Sequence, residues 1–172
     1  MEVLIAVLVS SVGLVGAAMM QLHAFRMTQQ SNFNDVAVTL AMQIADEIRA
    51  NDQEMRKPGG LFSNVSYSGG ATGSIPRNCY AQTCTSSQLA VHSLVEWKAR
   101  VKAVLPGGRL EICRDSTMVD SAGQYLWCSG PGGPAATAPV TIKIGWHETG
   151  PDGSAVTDPS PRVSIMVSPF TQ

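Results

Sequence analysis

Met1-Glu2-Val3-Leu4-Ile5-Ala6-Val7-Leu8-Val9 opens the chain, and its reading decides the rest. The run stays apolar to Met20 except for Glu2, Ser10, Ser11, Gly13 and Gly16. About twenty helical residues, rising 1.5 Å each, cross the hydrocarbon core of a bilayer. Glu2 is the only formal charge in that stretch. Insertion scales place an acidic residue at roughly 2.5–3.5 kcal/mol at a helix centre and less toward an end. A neutralising partner is therefore expected, and a cation on a neighbouring chain is one candidate. The N-terminal end of its own helix is another, favouring a carboxylate by about 0.3–1 kcal/mol; the lipid headgroup layer is a third. The first of these points to assembly rather than catalysis.

Gly16-Ala17-Ala18 has the small residues of a signal-peptide cleavage site, but the segment opens with an acid where a signal peptide carries basic residues. The helical spacing also runs on. Phe33, Val36, Ala37, Leu40, Ala41, Ile44 and Ile48 recur at steps of three and four, with Asn34, Asp35, Gln43, Asp46, Glu47 and Arg49 between them. No proline occurs before Pro58. One helix from the start to about Asn51, about 75 Å long, is favoured over a cleaved signal. The expected organisation is a membrane-spanning half over 1–21, an amphipathic half over 22–52 that lays its stripe on a globular domain, and a head over 53–172.

A chain of 172 residues suits one domain with a real core once the first segment is set aside. Twelve Lys and Arg against 13 Asp and Glu, with no block of like charge, exclude a broad basic face, so nucleic acid is not an expected partner.

Pro58-Gly59-Gly60 stops the helical pattern, and the Gly-, Ser- and Asn-rich stretch to Arg77 reads as a long surface loop. Thr85-Ser86-Ser87-Gln88 fits a capping box, with Thr85 as N-cap and Gln88 at the third helical position. Leu94, Trp97, Val101 and Leu105 form the buried stripe of the helix that follows, which Pro106-Gly107-Gly108 ends. Strands are predicted at 109–114, at Tyr125-Leu126-Trp127-Cys128, at 140–146 and at 163–167. In the third, Val140, Ile142, Ile144 and Trp146 alternate with Thr141, Lys143 and Gly145, as in a half-buried strand. The segment Gly150-Pro151-Asp152-Gly153 and prolines 159 and 161 link the last two strands. Short strands after helices imply an α+β domain with an antiparallel sheet of about four strands.

Cys79, Cys84, Cys113 and Cys128 all lie beyond the apolar segment. An even count in an anchored, loop-rich domain favours disulfides in an oxidising compartment. Zinc is the rival reading, but neither spacing supplies a close ligand pair. Connectivity stays open; local pairing, Cys79 with Cys84 and Cys113 with Cys128, is preferred because it closes one short loop and one strand hairpin. Gly13 and Gly16 are three apart, short of the GxxxG spacing, and offer close helix packing in the membrane or ordinary tolerance of glycine there. Ser10 and Ser11 are expected to bond back to their own helix. His23, His92 and His147 fall on separate elements, without a companion at ligand spacing. Asp115 and Asp120 flank a loop that suits calcium less well than plain solvation. Trp97, Trp127 and Trp146 are expected in the core. No nucleophile elbow, phosphate-binding glycine loop or His-Glu-x-x-His motif is present, so no catalytic residue, metal or cofactor is assigned and an enzyme is not expected.

Glu2 followed by Val3-Leu4-Ile5-Ala6 resembles the start of mature type IV pilins and of the pseudopilins, their secretion-system relatives. Ile44-Ala45-Asp46-Glu47-Ile48-Arg49-Ala50-Asn51 is similar to the end of the long helix in PilV-type minor pilins. Cys79-x4-Cys84-Thr85, Trp97 and Leu105-Pro106-Gly107-Gly108 are similar to the same subgroup's pattern. Precursors of that family carry a basic leader ahead of the glutamate. Only Met1 precedes Glu2 here, so these residues do not place the processing site or the methylated N-terminus. The resemblance implies a pilin fold, an inner-membrane anchor with a periplasmic head, and eventual placement in a pilus. It implies that Glu2 pairs with the amino terminus of an adjacent subunit. The implied partners are other minor pilins, the major pilin, a large pilus-tip adhesin and the inner-membrane assembly platform. A minor pseudopilin of a type II secretion system is the neighbouring alternative. A membrane-anchored periplasmic enzyme or ligand-binding domain is the alternative from another class.

Overall fold

The computed structural model describes residues 2–128, 138–148 and 160–168. The expected link at 150–153 and Pro159 lies outside them. Two compact units are present, one up to Phe33 and one from Asn34 onward. One helix, α1, runs Glu2–Ala50 through both. In the first unit Ser10 Oγ donates to the Ala6 carbonyl at 2.8 Å and Ser11 Oγ to that of Leu8 at 2.7 Å, the back-bonds expected of serines in an apolar helix.

The second unit is α+β. From Asn34 the stripe of α1 turns inward, burying Ala37, Leu40, Ala41, Ile44, Ala45 and Ile48. α1 ends where Asn51 leaves helical geometry, at φ −102° and ψ 52°. Asn51 is itself buried, and its side-chain amide donates to the Ser86 carbonyl at 2.8 Å, so the bend is fastened to the next long helix. A single turn, α2 (Asp52–Met55), and a 3-10 turn at Leu61–Ser63 follow. α3 (Ser86–Val104) begins with the expected capping box: Gln88 N donates to Thr85 Oγ1 at 3.3 Å, and Thr85 N to Gln88 Oε1 at 3.0 Å. Its stripe is buried at Leu94, Trp97 and Val101, and continues to Leu105 just past its end. Gly107 completes the stop with φ +58°, where a Cβ would also stand 2.3 Å from the His147 ring.

Four strands form one antiparallel sheet in chain order: β1 (Asn64–Ser68), β2 (Arg109–Arg114), β3 (Val140–Gly145) and β4 (Val163–Val167). In the register Val65–Ile112–Ile142–Ile165 and Tyr67–Leu110–Ile144–Val163 run across one face. That face and the stripes of α1 and α3 make the core, with Phe62 tilted against Trp97 at 5.7 Å between ring centres.

Two strand assignments need correction. β1 lies inside the stretch expected to be loop, because Val65 and Tyr67 alternate with Asn64, Ser66 and Ser68 and bury while the polar three stay exposed. Small polar residues hid a genuine period of two. Conversely, Tyr125–Cys128 is not a sheet strand; its one ladder contact is an isolated bridge between Val119 and Tyr125. Asp120 folds this segment into a turn instead, its carboxylate accepting from the backbone N–H groups of Ala122 and Gln124, both at 2.8 Å. The third correction concerns β3, which is buried along its whole length rather than on one face.

Candidate functional site

The first unit presents a helical surface of apolar side chains. Every large apolar residue from Val3 to Met27 leaves at least 56% of its surface exposed. Glu2 stands exposed in the first turn of this helix. A Cβ added at Gly13 or Gly16 would meet nothing of the chain within 4 Å. Among the described residues α1 is the one helix long and apolar enough to cross a membrane.

On the outer face of the sheet, residues 115–128 form a strap. The four cysteines are joined as Cys79–Cys84 and Cys113–Cys128, and the second bond ties the far end of the strap to β2. The Cys128 N–H donates to Glu111 Oε2 at 2.9 Å. The Arg109 guanidinium lies 4.1 Å over the Trp127 ring. Gly145 leaves the room Trp127 needs, since a Cβ there would stand 2.9 Å from the indole. Trp127 is therefore a half-exposed lid on the sheet, not a core residue like Trp97 and Trp146. Lys143 is fully buried beneath the strap and ion-paired with Asp115, which is also buried. Asp115 further accepts from Thr117 N at 2.8 Å, and its carbonyl accepts from Thr141 Oγ1 at 3.2 Å. The expectation of a solvated loop at Asp115 is thus overturned: a lysine on the supposed solvent face of β3 draws the carboxylate inward.

A second carboxylate, Glu54, is buried at the junction of α2, the 3-10 turn and α3. Its Oε2 accepts from Lys57 Nζ at 2.5 Å and from Ser87 Oγ at 2.9 Å, and its Oε1 from Leu61 N at 3.1 Å. The Lys57 hydrogen bond, opposed by burial and aided by the other donors, holds Glu54 below the usual carboxylate range.

Where α1 meets α3, Glu47, Cys79, Tyr80, His92 and Glu96 line an open cavity, and Arg100 stands 3.8 Å from both Glu47 and Glu96. Trp97 Nε1 donates to Glu47 Oε2 at 2.7 Å, which lets a buried indole satisfy its N–H. Tyr80 Oη reaches both oxygens of Glu96, at 3.1 and 2.9 Å, and that carboxylate raises the phenol's pKa. Sequence reading assigned no role to Tyr80 or Glu96 and saw Glu47 only as a polar position. The signal was present: Glu47, Glu96 and Arg100 occupy facing positions of two helices whose apolar stripes were legible.

Among the described residues no group of three or more His, Cys, Asp and Glu is placed to hold a metal ion. His23, His92 and His147 lie on α1, on α3 and after β3. Comparison of the chain with protein-family models, with curated proteins and with solved structures gives no match.

Proposed function

We propose that the protein is a membrane-anchored assembly subunit whose activity is binding and templating rather than turnover. Within that class we read it as a PilV-like minor pilin. It waits in the inner membrane with its disulfide-bonded head in the periplasm, then joins other minor pilins in a complex that primes the pilus and helps display a tip adhesin. The observation that carries this reading is α1, a single helix whose first unit exposes its apolar surface and whose second unit buries a stripe in a head. Such a surface favours lipid or the apolar centre of a filament over water. In that centre a carboxylate is tolerable only when paired, and Glu2 supplies the charge that an adjacent subunit's amino terminus would meet. Gly13 and Gly16 let a neighbouring helix approach closely.

The test is Glu2→Ala in the full chain, with surface pili counted and the minor pilins co-purified. The expected outcome is a marked loss of piliation and of co-purification at unchanged protein level. Normal piliation with normal co-purification sinks the assembly role.

A further inference from the structure

We draw no further inference here: the strongest candidate, the open apolar groove between α1 and α3 lined by Asp35, Val36, Leu40, Arg100 and Val104, is an unpartnered face, and nothing in the structure shows what covers it.

Discussion

Glu54 shows how one carboxylate fixes a junction that no local pattern announces. It occupies a four-residue helical turn and collects donors from Lys57, Leu61 and Ser87. Its pKa is lower in the folded chain than in the unfolded one, so the folded state binds fewer protons there. The stability it contributes is full above the ordinary carboxylate value and is lost as pH falls from there through the lowered one. Glu54→Gln should cost about 1–3 kcal/mol at neutral pH by leaving buried donors poorly matched. It should also flatten the acid side of the stability profile, as read by denaturant unfolding at a series of pH values. An unchanged acid slope would contradict this account. Nothing in the sequence marked Glu54, which lies past the expected end of the long helix among Asp52, Arg56 and Lys57. Only the approach of Ser87 and Leu61 from distant positions makes it a buried node.

Among elements, the strap over the sheet departs furthest from its sequence pattern. Tyr125-Leu126-Trp127-Cys128 has strand composition, and Thr141, Lys143 and Gly145 have the look of a solvent face. The Cys113–Cys128 bond, the Arg109–Trp127 stack and the Lys143–Asp115 pair turn the first into a cover for the second. Lys143→Met should destabilise the protein by about 3–5 kcal/mol, because Asp115 keeps a buried, unpaired charge. Lys143→Met combined with Asp115→Asn should recover most of that loss, since the side-chain amide oxygen can still accept from Thr117 N. Denaturant unfolding of the two variants measures the difference. Equal losses in both would show that the pair holds no uncompensated charge. The reason β3 misled is general: alternation identifies a strand with two unlike faces, and cannot say whether the polar face meets water or another part of the chain.

On the scale of the whole molecule, the division near Phe33 separates an apolar helical surface from a head with its own core. A chain beginning at Asn34 should keep cooperative unfolding and both disulfides, while losing the partition into phospholipid vesicles expected of the full chain. Vesicle flotation and thermal unfolding check this; vesicle binding by the truncated chain would place membrane affinity in the head instead. The long helix, the capped α3, its stripe and three of the four sheet strands were legible in the amino-acid order. Helical periodicity, capping and strand alternation are local properties, written within a few residues of one another. The fourth strand, the strap, the buried Lys143–Asp115 pair and the cluster around His92 were decided by tertiary structure. Each depends on residues far apart in the chain, and on burial that exchanges water for a particular partner. The sequence by itself determined where the long helices lie, where the chain is apolar and which end is long and apolar enough to cross a membrane. Packing alone decided which charged groups are drawn inside, because the cost of burying a charge depends on the groups that surround it.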